Sequence, residues 1–213
     1  MDHADHMRSA VDVVVAAVRS ADPARYDAPT PCPDFTLRTL VDHVAFGMLL
    51  AEYAGRKKPH EPDWDPTASA PYLAGRPESE WPRLIAEQGE RLTEAWADPA
   101  AWTGEASFGG SLMPAADLGS MMIVELVLHA WDVARGAGSE LPPVPPALAD
   151  AVRGDETGGR RRHTAAEWAP PRPGAAEQCP ACSDHRADRP RLPRGGRHLA
   201  LCRAGSGPRY ARG

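Results

Sequence analysis

The chain has 213 residues, four cysteines and a net charge of −5. This length fits one ordinary domain, or one domain with a tail, and four cysteines are too few for a disulfide framework. No charge-free apolar run reaches the roughly 18 residues of a membrane span. Acidic residues precede the first apolar run and no cleavage-type site follows it, so we expect a cytoplasmic protein without a secretory signal.

The charge is distributed unevenly along the chain. Residues 1–150 contain 11 Lys+Arg and 23 Asp+Glu, a net of −12, whereas residues 151–213 contain 13 Arg, no Lys and 6 acids, a net of +7. Such a split is typical of an acidic globular part with a basic tail that binds nucleic acid. The acidic part would repel phosphate, however, so we expect no nucleic-acid partner.

The first predicted helix runs from about residue 4 to residue 21, where four valines recur at the i, i+3, i+4, i+7 spacing of one buried stripe. A second helix is predicted from Leu37 to about Ala54, with Thr36 as its N-cap. His43 falls at the edge of its apolar stripe, where it is either a hydrogen-bonded core residue or a ligand. Cys32, between two prolines, is either a reactive thiol or, as we favour, a small buried turn residue.

Residues 56–77 are polar and rich in proline, and the segment is long enough to be a functional loop. A third helix is predicted from Ser79, as its cap, to about Ala97. Gly109 and Gly110 lie between short extended pieces and indicate a hairpin turn. The fourth helix is expected to begin at residue 114 or 115 and to close at Gly136 or Gly138. A fifth helix begins within residues 141–152 and breaks off.

The fourth helix contains the apolar run LGSMMIVELVLHAWDVAR, interrupted on one face by Glu125 and His129. Side chains four apart on a helix lie on the same face, about 6 Å apart. An E-x-x-x-H pair is often only a surface pair, but a buried carboxylate without a partner is costly, so the apolar setting favours a ligand role. We predict that Glu125, His129 and His43 converge on one divalent metal ion. Three protein ligands would leave a position open for water or substrate.

We divide the chain into a metal-binding helical domain, residues 1–153, and an irregular basic tail, residues 154–213. The tail has no Val, Ile, Phe or Met and only three Leu, so we expect it to be disordered. We favour the hypothesis that the native reading frame is lost near residues 152–154. A true basic tail and a zinc knuckle at Cys179, Cys182 and His185 are the alternatives. If neither other frame of the coding DNA restores an amphipathic helix, the frame hypothesis fails.

Two segments, TPCPDFTLRTLVDHV and VELVLHAWDVARGAG, resemble the signatures of the DinB-like superfamily. The chain is most similar to its actinobacterial branch of mycothiol-dependent maleylpyruvate isomerase-type metal-binding proteins, over about residues 5–150. The resemblance implies an all-α, up-and-down four-helix bundle with a metal in a cleft at one end. In that branch a His on the second helix and a Glu and His four apart on a later helix hold the metal, and these positions match His43, Glu125 and His129.

The resemblance also implies a function. A zinc-type cation lowers the pKa of a coordinated thiol and keeps it as thiolate. With mycothiol as cosubstrate, the protein would be a thiol S-transferase or isomerase acting on a small electrophile. The alternative is a non-catalytic metal-binding bundle that serves as a sensor or interaction module. We expect zinc, with nickel or iron as alternatives, since affinity order alone does not select among them.

Asp132 lies three residues after His129 and shares its helix face. We predict that it orients the ligand imidazole; a salt bridge with Arg135 or Arg38 is the alternative. The short fifth helix would leave apolar surface that a second copy of the chain could cover, as a homodimer.

Overall fold

The computed structural model describes residues 2–59, 69–109 and 111–155. The described part of the chain contains five helices and one short hairpin: α1 His3–Ser20, α2 Leu37–Gly55, α3 Trp81–Ala97, β1 Glu105–Phe108, β2 Ser111–Pro114, α4 Ala115–Ala137 and α5 Pro146–Asp155. The predicted all-α class and the hairpin turn are confirmed. The expected tail lies outside the described residues from residue 156 onward, as does the zinc-knuckle alternative.

Local sequence signals set most helix ends. The Thr36 side chain accepts a hydrogen bond from the Thr39 N–H and caps α2, as the sequence predicts. Gly138 ends α4 in the left-handed conformation, with φ of 70°, where a residue with a Cβ would be strained. Both signals lie close to the candidate ligands, so they fix where α2 and α4 present those side chains.

The expected cap of α3 is wrong. Ser79 lies inside a short 3-10 turn, Glu78–Glu80, and α3 begins only at Trp81, without a side-chain cap. The tighter turn takes up the residues that would otherwise form the first turn of the helix. Pro82 occupies the first turn of α3, where a missing N–H is tolerated, and the Trp81 indole N–H donates to the Arg76 carbonyl.

Each of the four long helices packs against two others, in the order α1, α4, α2, α3 around the bundle. The Gln88 amide lies against the Met48 carbonyl, and the Trp96 indole N–H donates to the Ala51 carbonyl at 2.8 Å. Residue numbers therefore rise together along α2 and α3, so these helices run in the same direction. The all-α bundle is as expected, but the alternating, up-and-down order of its helices is not kept at α2 and α3. The long connection of residues 56–80 allows this, because a short loop would force antiparallel neighbours.

The other helix that packs against α2 is α4, and these two helices run in opposite directions. A Cβ built on Gly136, near the end of α4, would lie 3.4 Å from Leu37, the first residue of α2. The start of α2 and the end of α4 thus meet at one end of the bundle, which brings residues in the forties level with residues near 130. None of the helices in the described part of the chain has the length and hydropathy of a membrane span.

The opposite end of the bundle is closed by two tryptophans. The rings of Trp96 and Trp102 are 4.7 Å apart and nearly perpendicular, and the Trp102 indole N–H donates to the Trp96 carbonyl. Both rings lie against Gly119 of α4, where an added Cβ would come within 2.7 Å of the Trp96 ring. Only a glycine at position 119 allows α4 to pack this close to the two indole rings.

We expect Gly119→Ala to destabilise the fold by about 1–3 kcal/mol, because the new methyl group must displace two indole rings. Gly47→Ala is the matched control, since Gly47 is also helical and has open space at its Cβ position. It should stabilise the protein by up to about 1 kcal/mol through helix propensity. Urea unfolding of the three proteins measures both changes. Equal stability of the two variants would contradict the tight packing at Gly119.

Candidate functional site

Three polar side chains form a row on one face of α4. Glu125, His129 and Asp132 are only 4%, 4% and 2% exposed, although they are surrounded by the apolar residues of the helix. Their spacing of four and then three residues places them one above the other. A buried carboxylate or imidazole is costly unless it interacts with another polar group or an ion. The row is therefore the strongest candidate for a functional site in the described part of the chain.

The structure places Asp132 against the ring of His129. The distance between His129 Nδ1 and Asp132 Oδ2 is 3.2 Å, and a carboxylate accepts, so the hydrogen bond assigns the proton to Nδ1. In the neutral ring Nε2 then carries the lone pair, which is the form that binds a metal ion. Nε2 faces Glu125, whose Oε2 is 3.5 Å away. The Asp132 bond thus directs the other ring nitrogen of His129 toward Glu125.

The second imidazole comes from α2. The ring centroids of His43 and His129 are 5.4 Å apart, and the two rings are nearly perpendicular, at 89°. His43 is half-buried, and its ring also lies near the ring of Phe35, with centroids 4.8 Å apart. The two histidines, more than eighty residues apart in sequence, therefore meet where the start of α2 faces the last turns of α4.

These distances can be compared with those around a metal ion. Two donor atoms bound at about 2.0–2.1 Å to a tetrahedral ion lie about 3.3 Å apart, and two imidazoles on one ion have centroids about 5 Å apart. Both observed pairs are close to these values. Within the described ranges, however, no three ligating side chains surround a common point as they stand. Two of the three pairs, Glu125 with His129 and His43 with His129, thus have separations compatible with ligands of one ion.

Opposing effects act on the titration of His129. Burial, the largest, lowers the pKa of the ring, but the hydrogen bond to Asp132 and the negative charges of Glu125 and Asp132 outweigh it. The net result is a raised pKa, with a smaller contribution from Cys32. The pocket therefore favours a positive charge at this ring, either as a proton or as a cation beside it.

The structure also shows where the other residues named in the sequence analysis lie. Arg38, one alternative partner for Asp132, instead forms ion pairs with Asp27 and Glu78. Cys32 is only 1% exposed, as expected of a buried turn residue. Sequence reasoning missed Phe35, although it lies just before the cap of α2, the helix that carries His43.

Comparison with known proteins places the chain in context. Residues 7–134 match the family described as mycothiol maleylpyruvate isomerase N-terminal domain. Two crystal structures have a similar fold: mycothiol-dependent maleylpyruvate isomerase and a histidine-to-alanine mutant of that enzyme, each 19% identical, with TM-scores of 0.51 and 0.52. The similarity covers 72% of this chain but 66% of the solved chains, just under two thirds of their length. No curated protein matches the chain significantly.

The raised pKa of His129 predicts a pH dependence of the metal-free protein. Because folding raises this pKa above its ordinary value of 6.5, the protonated ring stabilises the folded state at pH below 6.5. This contribution is lost as the pH rises through the folded pKa. The difference in free energy of unfolding between wild type and His129→Gln should therefore narrow as the pH rises above 6.5, in urea unfolding with a chelator present.

His6→Gln serves as the control for this measurement. Burial lowers the pKa of His6, so the difference in free energy of unfolding between wild type and His6→Gln should not narrow as the pH rises. If the difference in free energy of unfolding between wild type and His129→Gln stays constant or widens as the pH rises, the folded state does not favour the protonated ring.

Proposed function

Since the chain belongs to the mycothiol maleylpyruvate isomerase N-terminal domain family, we propose that it is a divalent-metal-dependent thiol transferase or isomerase. The proposed ligands are His43, Glu125 and His129, and the proposed cosubstrate is a low-molecular-weight thiol of the mycothiol type. The substrate is a small electrophile. The observation that carries the proposal is the buried row on α4, in which Asp132 directs a ring nitrogen of His129 toward Glu125.

Each side chain has a proposed role that follows from its contacts. Glu125 supplies a negative charge beside His129 Nε2, and His43 supplies a second neutral nitrogen from α2. Asp132 holds His129 in one tautomer and one orientation. Carboxylate partners of this kind raise the basicity of a ligand imidazole. Two imidazoles and one carboxylate suit zinc, with nickel or iron as alternatives.

The chemistry of such a site favours thiol reactions. A divalent cation bound there would lower the pKa of a coordinated thiol so that it is a thiolate at neutral pH. The protein's own part is to keep the donors deprotonated and oriented and to exclude water, which the burial of Glu125 and His129 serves. A thiolate of this kind would add to an activated double bond or displace a leaving group.

A second candidate function is a non-catalytic metal-binding module that acts as a sensor or interaction partner. It is favoured by one observation: in the ranges that the structure describes, no three ligating side chains surround a common point. A sensor can assemble its site only when the ion arrives, whereas an enzyme gains from a site held ready. Turnover of an electrophile with mycothiol separates the two candidates, because a module that binds metal without thiol-dependent turnover is not an enzyme.

We expect about one divalent ion per chain in the purified protein, and its loss in both His43→Ala and Glu125→Gln. Elemental analysis measures the content, with His6→Ala as the control that should keep the ion. Circular dichroism confirms that each variant is folded. Retention of the ion in both site variants would place it elsewhere, for example at Cys179 and Cys182.

Asp132→Asn tests the proposed role of Asp132. An asparagine amide can donate to Nδ1, which moves the ring proton to Nε2 and removes the ligating lone pair. Metal affinity and thiol-dependent kcat/KM should each fall about 10–100-fold. Asp117→Asn, on the exposed start of the same helix, should change neither quantity. If Asp132→Asn binds the metal ion as tightly as wild type, Asp132 contributes only to stability and not to metal binding.

A further inference from the structure

Phe35 contacts the only proposed ligand that α4 does not supply. Its ring lies 4.8 Å from the His43 ring, tilted by 33°, whereas the ring of His129 is nearly perpendicular to His43 at 5.4 Å. His43 is half-buried, so the core alone does not enclose its ring. The imidazole thus contacts two aromatic rings whose planes differ, one from the loop before α2 and one from α4, which limits rotation about its side-chain bonds.

Phe35 is itself held by the loop that precedes α2. Its N–H donates to the Cys32 carbonyl at 3.0 Å, and its carbonyl accepts from the Thr30 hydroxyl at 2.9 Å. Pro29 and Thr36 form an isolated antiparallel bridge that closes this loop, residues 29–36. The loop is folded onto itself rather than extended, so the backbone of Phe35, from which the ring projects, is held on both sides along the chain.

The same loop is tied to the end of α4. A Cβ built on Gly136 would lie 3.0 Å from the Thr30 methyl group, so the loop and the helix are in close contact. The Leu37 N–H also donates to the Ala28 carbonyl, which ties the loop to the start of α2. The loop therefore bridges the two helices that supply the proposed ligands.

We infer that Phe35 is a positioning residue that fixes the orientation of the His43 ring toward the site on α4. The inference rests on the proposed function, since it assigns Phe35 an effect on metal binding. A competing interpretation is that Phe35 only stabilises the start of α2, as an apolar residue before an N-cap often does by packing on the first turns. That interpretation predicts a loss of stability but no change at His43.

The inference is tested first in the metal-free protein. In wild type, NMR spectra of histidine-labelled protein should show contacts between the Phe35 and His43 rings and ring-current shifts of the His43 carbon-bound protons. Phe35→Leu removes the ring and should move the His43 signals toward those of a rotating imidazole, whereas Phe35→Tyr should keep them. His43 signals that are the same in Phe35→Leu as in wild type would overturn the inference.

Cobalt(II) titration followed by visible absorption tests the consequence for metal binding. Phe35→Leu should weaken cobalt binding about tenfold or more and alter the absorption bands, as loss of an outer partner of a ligand does. Phe35→Tyr should bind like wild type. Phe108→Leu is the matched control, because Phe108 is a buried phenylalanine of the hairpin, apart from the α2 loop. Its cobalt affinity should not change even where its stability falls.

The results distinguish a failure of the proposed function from a failure of the positioning role of Phe35. If wild type binds no cobalt but Phe35→Leu still frees the His43 ring, the proposed function fails and the positioning role stands. If wild type binds cobalt and Phe35→Leu binds it as tightly with the same bands, the positioning role fails and the proposed function stands.

Should Phe35→Leu not fold, Thr30→Val removes the hydroxyl that bonds to the Phe35 carbonyl and keeps the ring. It should weaken cobalt binding in the same direction by a smaller factor, and unchanged affinity would overturn the inference.

Discussion

The burial of two carboxylates and an imidazole on one face of α4 is the constraint that dominates this fold. Glu125, His129 and Asp132 are withdrawn from water almost completely, on a helix that is otherwise apolar. Charged groups in such surroundings are stable only when each is matched by a partner of suitable charge and geometry. The rest of the bundle can be understood as the scaffold that brings those partners, and His43 in particular, to the row.

Two sets of contacts provide that scaffold. At the site end, the close approach at Gly136 fixes the start of α2 against the end of α4. Farther along α2, Gln88 of α3 donates to Glu52 at 2.8 Å, and Arg56 donates to the same carboxylate. This buried carboxylate is matched by protein groups alone. The row on α4 differs, because it places two carboxylates around one imidazole, and this contrast is why we propose the row as the functional site.

The sequence predicts those features that local chemistry determines. The Thr36 cap, the Gly138 end of α4 and the shared face of Glu125 and His129 follow from residue types and spacing, and the structure agrees. The parallel direction of α2 and α3 could not be predicted, because it depends on contacts between residues such as Met48 and Gln88 that are far apart in sequence. The contact between the Phe35 and His43 rings could not be predicted for a similar reason, since loop geometry decides where the Phe35 ring lies.

A proton and the proposed metal cation would compete for the same position beside Nε2 of His129. The raised pKa of His129 in the metal-free protein means that the field of Glu125 and Asp132 attracts positive charge despite the opposing effect of burial. The Nδ1 bond to Asp132 is compatible with both states, whereas Nε2 can hold either a proton or a metal bond but not both. Binding of the proposed metal would therefore release a proton whenever His129 is charged. On this proposal Asp132 would orient the ring in both states, and the occupant of Nε2, beside Glu125, would distinguish them.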